Sequence, residues 1–423
     1  HLDLHLSIRR QRQMCIRDRP LVIAGIIMLG SSALAKCGIN SGKISVLAND
    51  FPALHAVVST AEECAGGGVT FSKNHTAKHN EISVPALTAN PAQYSVKIVA
   101  NSSIVPLLNN DLIRPLNDLV AKYGQHLKKN QLITIDGKIM AIAFMANAQH
   151  LFVRKDILDQ VGHDIPKTYE EVLAACKAIR DAGIMQYPFA MLSKPDWNLG
   201  EEFVNMYLGH GGVFFKPGTA KPAVNNKKGV ATLKMLKALT SYSNPDFLTF
   251  NSATVAPIWE AGNLALAELW GSTGGQILDA KGSTEKITSN TLLVSAPRVG
   301  GGNIPASSLW WDGFTIARNI SEKDAEASFR AMLHGISDEM VKKNNDKSVW
   351  LMDAYVPGKA AAGVFATASG GSQPYPMLPY MGILHMSFSK ELPDYLQGNE
   401  SAKQTLADIE AAYISGAKEK GFL

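Results

Sequence analysis

The run Asp136-Gly137-Lys138-Ile139-Met140-Ala141-Ile142-Ala143-Phe144-Met145, continued by Leu151-Phe152-Val153-Arg154-Lys155-Asp156 and Pro166-Lys167-Thr168-Tyr169-Glu170-Glu171, decides how this chain is built. Asp136-Gly137 is a turn pair, and 137–145 then reads as a strand buried on both faces because its apolar run is nearly unbroken. Pro166 breaks the chain, and Thr168 with Glu171 three positions later forms a capping box that starts a helix. Val172, Ala175, Cys176 and Ile179 fall on one face of that helix, and Gly183 marks its end.

The same alternation runs toward the N-terminus. Residues 44–48 read as a strand, 52–63 as a helix, 69–72 as a second strand, 77–88 as a helix, 94–100 as a third strand and 117–123 as a further helix. Strands alternating with helices predict α/β architecture with parallel sheets covered by helices on their faces. Cys37 precedes the first strand and Cys64 ends the first helix. In a β-α-β unit those two ends return to each other, so a Cys37–Cys64 disulfide is expected in an oxidising compartment. Cys176 reads as a small core residue.

The N-terminal segment stands apart. Residues 1–19 contain Arg-Arg-Gln-Arg-Gln-Met-Cys-Ile-Arg-Asp-Arg (9–19), which resembles a translated sequencing-library adaptor rather than a folded element. Residues 20–35 carry a short apolar run (21–30) followed by Ala33 and Ala35, the pattern of a secretory signal peptide with its cleavage site. Residues 1–19 hold five Arg and two Asp and 20–35 hold no charge. The chain's formal charge of +4 therefore leaves residues 36–423 near +1. Such a balance gives no electrostatic footprint for nucleic acid.

Four stretches in order carry a family resemblance: the Asp136–Ala190 segment above, Ala261-Gly262-Asn263 with Ala267-Glu268-Leu269-Trp270-Gly271-Ser272, Trp310-Trp311-Asp312-Gly313-Phe314-Thr315-Ile316-Ala317, and the helical tail 401–423. Together they resemble family 1 extracellular solute-binding proteins, the ABC-transporter sugar-binding group that includes maltose- and glucose-binding proteins. The resemblance implies a two-lobe, type II-like periplasmic binding protein fold, each lobe a mainly parallel sheet flanked by helices, with a ligand cleft between them. Residues 36–150 with 295–340 are expected to form the N-lobe, and 151–294 with 341–423 the C-lobe. It further implies capture of a carbohydrate or sugar alcohol by hinge closure, delivery to inner-membrane permease subunits with their ATPase, a periplasmic location, a monomer, and no cofactor or metal.

A carbohydrate site needs flat aromatic faces for ring C–H groups and Asp, Asn, His or Arg for hydroxyls that lose water. Trp270 precedes a Gly271-Ser272 turn and is the first stacking candidate; a core tryptophan beside a turn is the competing reading. Trp310 and Trp311 alternate along a strand, so only one of them can face the ligand. Asp312 needs a partner, either a ligand hydroxyl or an internal hydrogen bond. Trp197 sits in a loop that faces either the cleft or its own lobe. Strand ends of the first lobe nominate Asn49, Asp50, Asn74, His75 and Asn101, with helix capping as the alternative for Asn49, Asp50 and Asn101. Asn147 and Gln149 lie on the crossover, and Tyr355 lies in a late loop. Trp259 and Trp350 read as core.

The sequence lacks Gly-x-Ser-x-Gly, His-Glu-x-x-His and the phosphate-binding Gly-x-x-x-x-Gly-Lys-(Ser/Thr). His75 and His79 have the spacing of a pair on one helix face, without an evident third metal ligand. Two other readings stay open. One is a binding protein for a non-sugar solute such as a polyamine, which would call for carboxylates beside the aromatics. The other is an exported glycan-processing enzyme, which would need two carboxylates across one bond.

Overall fold

The computed structural model describes residues 36–423; the adaptor-like segment and the expected signal peptide lie outside the described residues. Twelve strands follow in chain order: β1 Gly42–Ala48, β2 Val69–His75, β3 Val96–Ala100, β4 Leu132–Ile135, β5 Lys138–Asn147, β6 Gln149–Arg154, β7 Phe189–Ala190, β8 Leu266–Trp270, β9 Thr291–Val294, β10 Ser308–Ile316, β11 Val349–Trp350 and β12 Gln373–Pro374. The larger sheet runs β11-β5-β10-β3-β1-β2, with β4 beside β5 and β12 beside β10; the smaller runs β7-β8-β6-β9.

The α/β class and two-lobe form follow the sequence, but the sheets are mixed rather than mainly parallel. β1 pairs in parallel with β2 and β3, whereas β10 runs antiparallel to both β3 and β5. In the second sheet β6 runs antiparallel to β8 and β9. The reason is topological. β5 leads into β6 across the lobes and β10 returns, so the crossing strands run against their neighbours, which β-α-β counting does not anticipate.

Each lobe has its own core. Helix Pro52–Glu62 and helix Glu322–Gly335 cover β1 of the first sheet, burying Ile44, Val46, Leu54, Val57, Val58, Phe329 and Met332. In the second lobe, helices Tyr169–Asp181, Trp197–Gly209, Lys227–Thr240, Met381–Gln397 and Ala402–Glu419 share one core with β6 and β8. The capping box on Thr168 and Glu171 is present, and Val172, Ala175, Cys176 and Ile179 are all fully buried. Burial holds the Cys176 thiol well above its usual range.

Three local expectations change. β2 extends to His75, past the expected end at 72. Its outer residues are polar because it is an edge strand, paired only to β1. His75 therefore ends a strand while His79 begins helix His79–Thr88, so the two do not share a helix face. β11 pairs with β5, and Val341, Trp350 and Met352 belong to the first lobe's core. The segment expected to reopen the C-lobe at 341 thus first adds a strand to the larger sheet.

Cys37 and Cys64 are joined by a disulfide with Cα atoms 5.6 Å apart, tying the start of β1 to the end of its helix. Cys37, Cys64 and His334 stand close enough to suggest a metal set, but the bridge occupies both sulfurs. No helix among the described residues is long and apolar enough to cross a membrane.

Candidate functional site

Strand register gathers the candidates. In the first lobe, β1 ends beside His75 of β2, since Ala48 pairs with His75. β3 ends at Ala100, which pairs with Asp312 of β10, and Trp310 pairs with Asn147 at the end of β5. Asn49, His75, Asn101, Trp310, Asp312 and Asn147 therefore occupy one sheet edge. In the second lobe, Trp270 ends β8 and pairs with Gln149 at the start of β6. The crossover 147–149 joins the two edges, so they face a common cleft.

Three expected tryptophans meet there. Trp310 lies edge to face with Trp270 (centroids 5.7 Å, 88°) and with Trp197 (6.0 Å, 85°). Tyr375, at 4.4 Å from Trp310, completes the group. Trp197 is not in a loop; it opens helix Trp197–Gly209, capped by Asp196. Alternation along β10 separates the adjacent tryptophans as expected. Trp310 packs with the second lobe's core, and Trp311 with an apolar cluster of the first lobe.

A dry polar layer holds these rings. Glu201 is fully buried on the Trp197–Gly209 helix and accepts hydrogen bonds from Trp310 Nε1 (2.9 Å) and Ser308 Oγ (2.5 Å). His385 places Nε2 2.8 Å from the Trp197 carbonyl and Nδ1 3.1 Å from the Tyr375 hydroxyl. This geometry fits a neutral ring that donates from Nε2 and accepts at Nδ1. Trp197 stacks on the same ring at 3.6 Å. The contact needs Gly200: a Cβ there would come within 2.4 Å of the His385 ring. Burial pushes Glu201 up to about 7 against its two hydrogen bonds, and drives His385 down to about 3.

The crossover amides are structural anchors. Asn147 Oδ1 accepts from the backbone N–H of Ala148 and Ser272, and its Nδ2 donates to Ser272 Oγ. Gln149 accepts from Asn205 Nδ2 at 2.6 Å, and Asn205 in turn accepts from the N–H of Ser308. Asn101 donates to the Leu309 carbonyl at 3.0 Å, while its buried Oδ1 has no partner among the described residues. None of these three amides caps a helix.

At the far end of the edge, Asn49 accepts from the N–H of Asp50, and Asp50 lies 2.7 Å from His55 Nε2. His55 stacks on His75 at 4.0 Å, and His75 Nδ1 contacts the Asn49 carbonyl, leaving its Nε2 without a partner among the described residues. Asn74 donates to the Tyr94 hydroxyl. Asp312 is pushed up to about 7 by burial, opposed by Lys97, and no ion pair joins the two among the described residues. Lys97 instead binds His79 and the Ile98 carbonyl. Tyr355 packs at the margin of the first lobe's core, apart from the aromatic group.

A cavity of about 630 Å³ opens beside Tyr375, between Ser102, Val105 and Asn109 of the first lobe and Pro376, Leu378 and Ile383 of the second. A more open hollow of about 590 Å³, between helices Lys227–Thr240 and Met381–Gln397, includes none of the candidate residues. Sequence reasoning missed Glu201, His385, Tyr375 and His55. Only Tyr375, flanked by Pro374 and Pro376 in a segment without periodicity, left a usable signal.

Two lobes with a cleft between sheet edges, aromatic on one side and amide-rich along the crossover, define a solute-binding architecture rather than a single-domain fold. The chain belongs to the bacterial extracellular solute-binding protein family, whose pattern matches residues 83–333. A probable ABC transporter-binding protein of Deinococcus radiodurans is 24% identical over 286 residues, covering 62% of this chain and 66% of that protein, just under two thirds of its length. A maltose-bound binding protein of T. maritima superposes with a TM-score of 0.76 at 15% identity, over 89% of this chain and 100% of that one. A solute-binding protein of Agrobacterium radiobacter in complex with ribitol gives 0.77 at 17% identity, over 90% of this chain and 99% of that one. One from Agrobacterium vitis with bound D-mannitol gives 0.74 at 16% identity, over 90% and 100%.

Proposed function

We propose that this chain is the substrate-binding component of an ABC importer and that it captures a carbohydrate or sugar alcohol between its lobes. The observation that carries this reading is the convergence of Trp197, Trp270, Trp310 and Tyr375 at the junction of the two lobes. Trp270 meets Trp310 at right angles and has no stacked ring among the described residues. Its flat face is therefore the platform for ring C–H groups, while Trp310 braces it from behind. Asp312, Asn101 Oδ1 and His75 Nε2 supply polar atoms along the opposite edge for hydroxyls that lose water on binding.

Relatives of this fold were captured with maltose, ribitol and mannitol, which favours neutral polyols as the ligand class. A polyamine is disfavoured because Asp312 is the single carboxylate among the polar groups we assign to the ligand, and burial raises it to about 7, against the charged form an amine would need. We assign no enzymatic role. Asp50 is engaged by His55, and Asp312 has no second carboxylate paired to it for bond cleavage. Closure would come from bending at the crossovers, so that both edges touch the ligand at once. The closed form would engage permease subunits from the periplasm, and the protein would act as a monomer. N-lobe residues 36–150 with 295–352 and C-lobe residues 151–294 with 353–423 are the lobe limits we adopt. A thermal-shift panel of mono-, di- and oligosaccharides, sugar alcohols, polyamines and amino acids tests the reading. A carbohydrate or sugar alcohol should raise the melting temperature, and a shift by polyamines or amino acids alone would refute it.

A further inference from the structure

The disulfide lies where three elements of the first lobe end together. Cys37 stands a few residues before β1, Glu63 and Cys64 just after helix Pro52–Glu62, and His334 in the last turn of helix Glu322–Gly335. Close packing of the two helices sets this meeting: a Cβ on Gly335 would come within 2.7 Å of the Val57 carbonyl and 3.0 Å of Ala61 Cβ. Arg330, one helical turn before His334, donates to the Cys37 carbonyl at 3.2 Å. The group stands at the start of β1, whereas the ligand candidates Asn49 and Asp50 stand past its end.

His334 has no part in the hydrogen bonding of the fold through its side chain. Its buried Nε2 has no hydrogen-bond partner among the described residues, and Glu63 Oε2 stands 3.6 Å from it, beyond hydrogen-bond distance. The two cysteine sulfurs and His334 Nε2 all lie within 4.8 Å of one another, and no other group of three or more His, Cys, Asp or Glu among the described residues does so. A tetrahedral zinc site holds sulfur about 2.3 Å and nitrogen about 2.0 Å from the metal, which puts its donors about 3.5 Å apart. With the sulfur–sulfur bond opened, side-chain rotation lets the sulfurs part to that spacing across Cα atoms 5.6 Å apart. Thiolates with imidazole select zinc over calcium or magnesium.

We propose that the reduced form of this chain carries a structural zinc site made of Cys37 Sγ, Cys64 Sγ, His334 Nε2 and Glu63 Oε2. A dithiol reductant opens the bridge by exchange. It gives two electrons and two protons to the cysteine sulfurs and leaves as its own disulfide. Zinc then displaces both thiol protons, and the neutral imidazole and the carboxylate complete four ligands. Metal and bridge exclude each other, because both need the same two sulfurs. Zinc thereby makes in the reduced chain the tie that the bridge makes in the oxidised one.

The test uses the full chain, oxidised or reduced with a phosphine that leaves no competing thiol. Zinc is expected to bind the reduced chain one to one in calorimetric titration and to raise its melting temperature, leaving that of the oxidised chain unchanged. Cobalt in place of zinc should give a thiolate-to-cobalt absorption band, absent when Cys37→Ser and Cys64→Ser are combined in a chain that keeps Cys176. His334→Ala, which leaves the bridge intact, should lower the zinc affinity of the reduced chain about tenfold or more. If reduction alone unfolds the chain, zinc should restore a cooperative melt, and should fail to do so in the His334→Ala variant. No effect of zinc on the melt of the reduced chain overturns the proposal. Equal zinc binding by the oxidised chain, or by the reduced His334→Ala variant, overturns it as well.

Discussion

Glu201, on the helix that begins with Trp197, accepts a 2.9 Å hydrogen bond from Trp310 Nε1 on the strand that returns between the lobes. One buried carboxyl thereby fixes a ring of the aromatic group from the opposite lobe. Replacing Glu201 by Ala leaves Ser308 Oγ without its acceptor in a dry site and the indole N–H with Ser308 Oγ alone, at 2.8 Å. A loss of about 2 kcal/mol is expected. Glu201→Gln keeps an acceptor and should cost less than half as much. Urea denaturation of both variants checks the difference; equal losses would mean the hydrogen bonds to Trp310 and Ser308 carry no weight.

The alternation of Trp310 and Trp311 separates affinity from stability. Trp270→Ala, and Trp197→Ala after it, should weaken carbohydrate binding by tenfold or more, about 1.4 kcal/mol. Trp311→Ala, facing the first lobe's apolar cluster, should lower stability by about 3 kcal/mol with affinity unchanged. Calorimetric titration beside thermal melts checks both; a Trp311 variant with lost affinity would reverse the facing of β10.

Buried titratable groups set the pH dependence of stability. Glu201, Glu268 and Asp312 are raised to about 7, all chiefly by burial. Each favours the folded state fully below its ordinary carboxylate range, and that contribution is lost as pH rises through about 7. His79 and His385 are lowered to about 3 and His150 to about 4, again chiefly by burial. Their contributions are intact above the ordinary value of 6.5 and are lost as pH falls from there toward 3–4. Between about pH 4.5 and 6.5 the two sets oppose each other, and from there to about 7 the acids lower stability; Lys97, lowered to about 7 chiefly by burial, adds stability again as pH rises from 7 toward its ordinary 10.5. Melting curves across pH 4–9 check this: stability should dip near pH 7, and Glu201→Gln should make the fall toward that dip shallower; no fall between pH 6 and 7 would show that the three acids do not set it.

The Cys37–Cys64 bridge closes a loop with a sequence separation of 27. Breaking it with Cys37→Ser and Cys64→Ser together should cost about 3 kcal/mol. Alkylation of the unfolded, unreduced protein should label Cys176 and leave Cys37 and Cys64 unlabelled. Labelling of all three would place the bridge outside the native state.

The sequence made the local architecture legible wherever one physical signal acted alone. Thr168 with Glu171 starts a helix by capping, and 139–145 is a strand whose apolar run is buried almost throughout. Trp270, Trp310 and Trp197 were visible as aromatics beside turns or strands. Glu201 and His385 were not, because each sits in an ordinary helical run and gains its role only when helices Trp197–Gly209 and Met381–Gln397 pack at Gly200. β11 was misplaced for the same reason: a two-residue strand acquires its lobe from its partner β5, not from its own pattern. Asn147 and Gln149 were found by position, but their hydrogen bonds to Ser272 and Asn205 make them anchors of the crossover.

The most direct test of a carbohydrate cleft at the lobe junction is a calorimetric titration of the best carbohydrate from the thermal-shift panel. The unaltered protein and Trp270→Ala would be measured side by side. Saturable binding at one site per chain is expected for the unaltered protein, weakened tenfold or more, about 1.4 kcal/mol, in a variant that still melts cooperatively. Equal affinity in the two proteins, or heat only with a polyamine or amino acid, would contradict the account.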